Sequence, residues 1–214
     1  MSKQKAIHHI SAFINKMTDI FSSNVPGMTE RLSRSCIAVA GCGGIGSNAA
    51  VALVRAGLGK IIIADMDIIE ASNLNRQYYF ADEIGQKKVF TLKSRLNSID
   101  SDCEIVTYHK ELVREDVKTI FGSADILIEA FDKAESKQWL IEEWSSLYPD
   151  KPVISGNGLS GCGDFESIKI SKMGNIYFCG DGVTSQEIGL CSARVAIISN
   201  MQANLAIELL MKLK

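Results

Sequence analysis

Apolar side chains recur at two different spacings along this chain, and the two spacings alternate. Short runs rich in β-branched residues, such as CIAVA at 36–40 and KIIIAD at 60–65, have the length and composition of buried strands. Between them lie segments whose apolar residues recur every three or four positions, which is typical of one helix face. Continuous apolar strands that alternate with helices predict an α/β fold, with a mostly parallel sheet that has helices on both faces.

The same pattern predicts the later elements in chain order. Further strands are expected at EIVTYH, ADILIEA and PVISG, and further helices at SNAAVALVRAG, KVFTLKSRLNSI, 115–121, SKQWLIEEWSSLY and 193–214. ESIKIS and NIYFC are separated only by KMG, which predicts a hairpin and therefore a small antiparallel addition near the C-terminus. The polar, glycine-rich segment 180–189, GDGVTSQEIG, is expected to be a mobile loop.

The N-terminal segment has the pattern of an amphipathic helix. Within residues 4–22 the apolar positions follow three- and four-residue steps, at Ile7, Ile10, Phe13, Ile14, Met17, Ile20 and Phe21. The turn-forming stretch SSNVPG follows, and TERLSRS favours one short helical turn before the first strand. We therefore expect an N-terminal helical segment over 1–34 and an α/β domain over 35–214.

Composition, charge and cysteine spacing exclude several classes of protein. A length of 214 residues with 46% hydrophobic content suits one packed domain, and a formal charge of −2 offers no basic field for nucleic acid or anionic membranes. No apolar run approaches the roughly 20 residues of a membrane span, so a cytoplasmic protein is expected. The six cysteines include no C-x-x-C pair, which predicts reduced thiols and no structural zinc.

A glycine-rich loop follows the first predicted strand. Gly41, Gly43 and Gly46 satisfy G-x-G-x-x-G between a strand and a helix, where backbone N–H groups can cradle a phosphate. Asp65 ends the second strand nineteen residues later, where a carboxylate can accept hydrogen bonds from ribose hydroxyls. An NAD-dependent oxidoreductase shows the same features, so this loop alone leaves the nucleotide open.

Charged residues farther along favour a triphosphate. Arg76 and Lys88 lie downstream of the loop, and a triphosphate needs more cationic partners than the pyrophosphate of a dinucleotide. Asp132 is expected at the carboxyl end of a later strand, where ligands of open α/β sheets bind, and a carboxylate there can hold Mg²⁺. Together these residues predict a site for ATP and Mg²⁺.

Four stretches of the sequence resemble a known family of enzymes. They are similar to the ubiquitin-activating type of adenylyltransferase, and within it to the short second type of the ThiF family, the sulfur-carrier adenylyltransferase of thiamine biosynthesis: GCGGIGSNAAVALVRAG, DMDIIEASNLNRQ, IGQKKV and EAFDKAESK. ISGNGLSGCGDFESIKI and YFCGDG extend the likeness, which runs from about residue 36 to the C-terminus. The resemblance implies an ATP-binding, Rossmann-like adenylation domain over 35–214. It also implies a homodimer that uses ATP to activate the C-terminal Gly-Gly carboxylate of a ubiquitin-like carrier as an acyl-adenylate.

The resemblance also assigns site residues. It implies that the nucleotide is bound by the glycine loop, a ribose-binding acid, an asparagine, an arginine with its neighbouring glutamine, and a lysine: Gly41, Gly43, Gly44, Gly46, Asp65, Asn73 or Asn75, Arg76, Gln77 and Lys88, with Lys87 the less favoured neighbour of Lys88. Asp132 takes the place of the metal-associated aspartate. Catalysis is then expected from Arg76, Lys88 and Asp132, with the loop at 180–189 as a candidate lid.

Several alternative functions fit the sequence. The family also activates carriers of the molybdopterin and cysteine pathways, and some relatives act on a small molecule or a tRNA base. An oxidoreductase is disfavoured because no acid–base pattern accompanies the loop, and a catalytically silent nucleotide-binding scaffold is the remaining class. Some relatives link a cysteine covalently to the carrier, and Cys179 and Cys191 flank the corresponding region. Longer relatives complete the ATP site with a partner-subunit arginine, for which this chain offers Lys16, Arg31 and Arg34.

Overall fold

A seven-stranded sheet forms the centre of the computed structural model, which describes residues 20–212. In chain order the strands are β1 (Cys36–Ala40), β2 (Lys60–Ala64), β3 (Glu104–Tyr108), β4 (Ile126–Glu129), β5 (Val153–Gly156), β6 (Lys169–Met173) and β7 (Ile176–Gly180). They lie side by side in the order β3-β2-β1-β4-β5-β7-β6, and each neighbouring pair is parallel except β6 with β7. The predicted Rossmann-like sheet with one antiparallel addition is confirmed.

Helices cover both faces of this sheet. They are α1 (Met28–Leu32), α2 (Gly44–Arg55), α3 (Lys88–Ile99), α4 (Arg114–Phe121), α5 (Ala134–Leu147) and α6 (Ser192–Lys212). Every residue of β1 is buried, and its side chains alternate between two hydrophobic cores. Ile37 and Val39 join the core under α2, α3 and α6, whereas Ala38 and Ala40 join the core that contains Trp144 of α5.

The direction of winding reverses beside β1. The chain adds β2 and β3 on one side of β1 and then returns to place β4 and β5 on its other side. The carboxyl ends of β1 and β4 therefore diverge into loops on opposite sides of one crevice, which is where open α/β sheets bind their ligands. The glycine loop follows β1, and Asp132 follows β4.

The antiparallel addition is continuous with the main sheet. Met173 pairs with Ile176 across a two-residue turn, in which Gly174 adopts a φ of 59°. β7 then pairs in parallel with β5, which makes β6 the edge strand of the same sheet. None of the helices among residues 20–212 is both long and apolar enough to cross a membrane.

The predicted N-terminal helix over 4–22 lies outside the described residues except at its end, where residues 20–23 form a turn. The short helical turn predicted in TERLSRS is present as α1. Leu32 of α1 is fully buried in the core, and the Nε of Arg31 donates a hydrogen bond to the carbonyl of Leu210. α1 therefore packs against α6, while the division of the chain at residue 34 stays a prediction.

Candidate functional site

The glycine loop is shaped by two close backbone approaches. Gly41 follows β1 with a φ of 98°, and a Cβ atom there would lie 2.7 Å from the carbonyl oxygen of Ala130, just after β4. A Cβ atom on Gly46 would lie 1.8 Å from the carbonyl oxygen of Gly41. Larger residues at these two positions would push the first turn of α2 away from the sheet. Because Gly41 and Gly46 have no side chain, the amino terminus of α2 can lie in the crevice. Its unpaired N–H groups favour an anion there.

Asp65 supports this loop from the end of β2. Its Oδ2 accepts a hydrogen bond from the N–H of Cys42 at 2.5 Å, and its Oδ1 accepts one from the N–H of Asp67 at 2.7 Å. Burial raises the pKa of Asp65 above its ordinary value, against the effect of these two hydrogen bonds. The predicted ribose-binding carboxylate therefore also fixes the entry to the glycine loop.

Arg76 lies across the glycine loop on the segment that follows β2. Its Cγ would lie 3.5 Å from a Cβ atom on Gly44, and its guanidinium donates to the carbonyl of Ser72 and, at 2.7 Å, to Oδ1 of Asn75. The side chain of Gln77 reaches within 3.7 Å of the Cβ position of Gly43. The structure thus brings these predicted side chains to the loop.

The two predicted asparagines have different surroundings. Asn73 is buried, and its Oδ1 accepts the N–H of Glu70 in a short 3₁₀ turn over Ala71–Asn73. Asn75 is exposed and holds the guanidinium of Arg76. The Asn73 carboxamide is therefore used in shaping the turn, whereas Asn75 orients the arginine.

Lys88 points inward, and its neighbour points outward. The Nζ of Lys88 lies 2.7 Å from Oδ2 of Asp67, and the lysine is buried at the amino end of α3. Lys87 is exposed, with its Nζ 5.9 Å from the centre of the Phe90 ring. Asp67 belongs to the same turn as Asp65, so Lys88 is directed toward the acidic end of β2.

Asp132 lies on the other side of the crevice, beside a large cavity. It is exposed, and it lines a cavity of about 940 Å³. The cavity extends along α5 and the ends of β5 and β7, with Ser155, Asn157, Phe178 and Thr184 among its lining residues. Of the predicted site residues, Asp132 lines this cavity, whereas the glycine loop lies on the opposite side of the β1–β4 junction.

A buried charged cluster that the sequence pattern did not predict lies in the strand end before Asp132. Glu129 ends β4 fully buried, and its Oε2 accepts hydrogen bonds from the Ser155 hydroxyl at 2.6 Å and from the Lys137 ammonium at 2.9 Å. Its Oε1 accepts the N–H of Phe131 at 2.7 Å, which fixes the turn leading to Asp132. A glutamate at the end of the apolar run ILIE was the signal available in the sequence.

Asn48 of α2 and Tyr79, on the segment that follows β2, connect the predicted site residues through hydrogen bonds. Asn48 donates from Nδ2 to the carbonyls of Gly44 and Arg76, at 2.7 and 2.9 Å. The buried hydroxyl of Tyr79 donates to the carbonyl of Cys42, and a second, longer contact of 3.4 Å reaches the carbonyl of Lys88. The glycine loop, Arg76 and Lys88 therefore form one connected unit.

The cysteines considered for a covalent link to the carrier, and the cations considered for the partner's ATP site, have different surroundings. Cys179 is fully buried in β7, and burial raises its pKa to about 12, which disfavours the thiolate needed for nucleophilic attack. Cys191 is partly exposed before α6. Arg34 pairs with Glu30 at 3.1 Å, and Lys16 lies outside the described residues.

Residues 20–212 contain no cluster of three or more histidine, cysteine, aspartate or glutamate side chains suited to a metal ion. The expected absence of structural zinc stays a prediction. Mg²⁺ commonly uses one or two protein carboxylates together with phosphate oxygens and water, so the single carboxylate of Asp132 suits a shared site of that kind.

The sheet order and the glycine loop at the point of reversal define a Rossmann-like domain of the nucleotide-binding kind. The chain belongs to the ThiF family, whose family model matches residues 16–214.

Two curated relatives show how far the similarity extends. The chain is 36% identical over 148 residues to the tRNA threonylcarbamoyladenosine dehydratase of Bacillus subtilis, a match that covers 67% of this chain and 58% of the relative. It is 30% identical over 132 residues to the sulfur carrier protein adenylyltransferase of Thermus thermophilus, covering 61% of this chain and 48% of the relative. The matched part thus spans about half the length of these relatives.

A solved structure supports the fold. The crystal structure of the E. coli tRNA N6-threonylcarbamoyladenosine dehydratase in complex with ATP has a TM-score of 0.81 to this chain and 21% sequence identity. The match covers 94% of this chain and 95% of that one. At this identity the likeness establishes the shared fold.

Proposed function

We propose that this protein uses ATP to adenylate the C-terminal carboxylate of a small ubiquitin-like sulfur carrier, as in the thiazole branch of thiamine biosynthesis. The observation that carries the proposal is the connected unit of glycine loop, Arg76 and Lys88 on one side of the β1–β4 junction, with Asp132 and an open cavity on the other. The proposal places the phosphates of ATP between these two sides. The ATP complex of the E. coli relative and the name of the Thermus thermophilus relative agree with this assignment.

The reaction is an in-line displacement at the α-phosphorus of ATP. The carrier carboxylate attacks the α-phosphorus, the bond to the β-phosphate oxygen breaks, and pyrophosphate leaves with the electron pair of that bond. Loop N–H groups, Arg76 and Lys88 stabilise the phosphate charge, so catalysis rests on positioning and electrostatics without a protein nucleophile. Mg²⁺ held by Asp132 would neutralise part of the charge on the phosphate oxygens.

The proposal places the carrier tail in the cavity beside Asp132. An extended Gly-Gly tail needs a narrow, partly polar groove, and the cavity combines apolar Phe178 with the hydroxyls of Ser155 and Thr184. Thr184, Ser185 and Glu187 belong to the loop at 180–189, which supports its role as a lid over the tail. A homodimer remains part of the proposal, and size-exclusion chromatography with light scattering tests it.

A second substrate is supported by the dehydratase relatives. Both the Bacillus subtilis relative and the E. coli structure are named for tRNA threonylcarbamoyladenosine, whose threonyl group also carries a carboxylate. The same ATP site could activate that carboxylate. The formal charge of −2 favours the carrier, because tRNA binding depends largely on basic phosphate contacts.

The deciding experiment is substrate-dependent exchange of labelled pyrophosphate into ATP. Purified protein with Mg²⁺ is assayed with thiamine-pathway, molybdopterin-pathway and cysteine-pathway carriers that end in Gly-Gly, and separately with tRNA bearing threonylcarbamoyladenosine. Exchange with the thiamine carrier supports the proposal in full, and exchange with another carrier corrects the pathway. Exchange with tRNA alone would identify the tRNA nucleoside as the substrate. NAD binding without any exchange would support the oxidoreductase alternative.

A further inference from the structure

Two cysteines occupy equivalent positions beside an isolated β-bridge. Gly161 and Leu190 pair in parallel, and the N–H of Gly161 donates to the carbonyl of Gly189 at 2.8 Å. Cys162 and Cys191 are the next residues on the two paired segments. Paired backbones lie about 4.8 Å apart, and disulfides join Cα atoms about 4.4–6.8 Å apart. The paired residues Gly161 and Leu190 therefore have a spacing compatible with a disulfide, and the two cysteines directly follow them.

A buried arginine holds both segments in place. Arg194, in the first turn of α6, donates from Nη1 to the carbonyl of Gly163 and pairs through Nη2 with Asp181. Gly163 directly follows Cys162, and Arg194 lies three residues after Cys191. The guanidinium of Arg194 therefore links the residue after Cys162 to the helix that begins after Cys191. This link limits how far the two cysteines can move apart.

Solvent access separates this pair from the other thiols. Cys162 is exposed and Cys191 partly exposed, whereas the remaining four cysteines are buried. Burial raises the pKa of Cys36 to about 11 and that of Cys103 to about 12, and it also raises that of Cys42. An oxidant in solution therefore meets Cys162 first, with Cys191 as its neighbour. An accessible thiol beside a resolving cysteine is the usual arrangement in redox-sensitive proteins.

We propose that Cys162 and Cys191 form a redox-active pair that closes into an intramolecular disulfide and ties together the two segments that line the cavity. With a small disulfide such as oxidised glutathione as oxidant, the Cys162 thiolate attacks one glutathione sulfur and releases one glutathione thiolate. The Cys191 thiolate then attacks Sγ of Cys162 and releases the second. The two cysteines lose two protons and two electrons, and oxidised glutathione becomes two reduced molecules.

The consequence follows from where the two segments lie. Residues 157–160 precede Cys162 and line the cavity, as do Thr184, Ser185 and Glu187 before Cys191. A covalent bond between the segments restricts their separation, so the oxidised protein opens this side of the cavity less. The effect on carrier activation rests on the proposed function, whereas the disulfide and its effect on loop opening do not.

The test uses the full chain in glutathione redox buffers of stepped ratio. Mass mapping without reductant is expected to find one linked peptide pair that contains Cys162 and Cys191. C191S is expected to stop at a glutathione adduct on Cys162, and C162S to react several-fold more slowly. A wild-type protein that accumulates the Cys162 adduct without the linked pair would overturn the disulfide, as would a link that involves Cys179.

Loop opening has its own measurement. Glutamyl endopeptidase cleavage after the exposed Glu187 is expected to be several-fold slower in the oxidised wild type than in the reduced protein, with no such difference in C162S. Carrier-dependent exchange is expected to fall in parallel and to recover with reductant. An unchanged cleavage rate overturns the restraint even if the disulfide forms. Slower cleavage in a protein with no exchange on any carrier supports the redox pair and rejects the proposed function alone.

Discussion

The ammonium group of Lys88 lies 2.7 Å from Oδ2 of Asp67, and the lysine side chain is only 6% exposed although its partner is 53% exposed. A neighbouring anion offsets part of the cost of removing an ammonium group from water. Asp67 supplies that anion from the turn after Asp65, and triphosphate oxygens supply the same kind of partner. The pair thus keeps a cation at the acidic end of β2, from which it can contact a nucleotide.

Replacement of Lys88 by methionine is expected to abolish most turnover. The substitution keeps the buried stem and removes the charge, so carrier-dependent pyrophosphate exchange should fall on the order of 10²-fold or more. The neighbouring Lys87→Met is the matched control, because Lys87 is exposed and should leave exchange within about twofold of wild type. Equal losses in the two variants would contradict the assignment of Lys88.

Most of the fold could be predicted because the central strands β1, β2, β4 and β5 are buried on both faces. CIAVA and KIIIA became β1 and β2 with their predicted bounds nearly unchanged, since continuous β-branched runs have few other stable arrangements. The hairpin in ESIKISKMGNIYFC was also predicted. Its attachment to β5 could not be predicted, because a period of two in a strand does not identify the neighbouring strand.

The site was only partly predictable, for a different reason. Gly41, Asp65 and Asp132 occupy fixed distances from strand ends, and sequence spacing reports such positions directly. Glu129, Lys137 and Ser155 meet across two strands and a helix, so their interaction depends on the register of β4 against β5. The register follows from packing, which a single sequence does not display.

Replacement of Gly46 by alanine is expected to displace the glycine loop. The new Cβ atom would lie 1.8 Å from the carbonyl oxygen of Gly41, so the first turn of α2 must shift. We expect calorimetric ATP affinity to fall at least tenfold, about 1.4 kcal/mol, because loop N–H groups no longer converge on one phosphate. Gly163→Ala is the control, since nothing lies within 4 Å of its Cβ position. ATP affinity unaltered in Gly46→Ala would place the nucleotide elsewhere.

Replacement of Glu129 by glutamine is expected to destabilise the protein. The variant keeps the shape of the side chain but leaves the Lys137 ammonium without its anion, at a cost of about 3 kcal/mol in the free energy of unfolding. Exposed Glu135→Gln, on the same helix as Lys137, is the control. The double variant that also carries Lys137→Met should recover part of the loss. Urea unfolding of the wild type, Glu129→Gln, Lys137→Met and the double variant measures the coupling. Purely additive losses would show that the ion pair is not the cause.

The pairing of Asp181 with Arg194 predicts a pH-dependent contribution to stability. Burial by itself works to raise the pKa of Asp181, but the N–H groups of Thr184 and Val183, the Thr184 hydroxyl and Arg194 together hold that pKa below its ordinary value of 3.8. The folded state therefore favours the carboxylate. This contribution to the free energy of unfolding is complete above the unfolded pKa and is lost as the pH falls through the lower folded pKa.

Asp181→Asn tests this contribution directly. At pH 7 the variant should lose about 3 kcal/mol in the free energy of unfolding, because Arg194 stays buried without its anion. The difference between variant and wild type should shrink when urea unfolding is repeated well below pH 3.8, where protonation of Asp181 weakens the pair in the wild type as well. Exposed Asp164→Asn is the control and should follow the wild type at both pH values. A deficit that is equally large in acid would mean that Asp181 stabilises the loop through its shape and neutral hydrogen bonds alone.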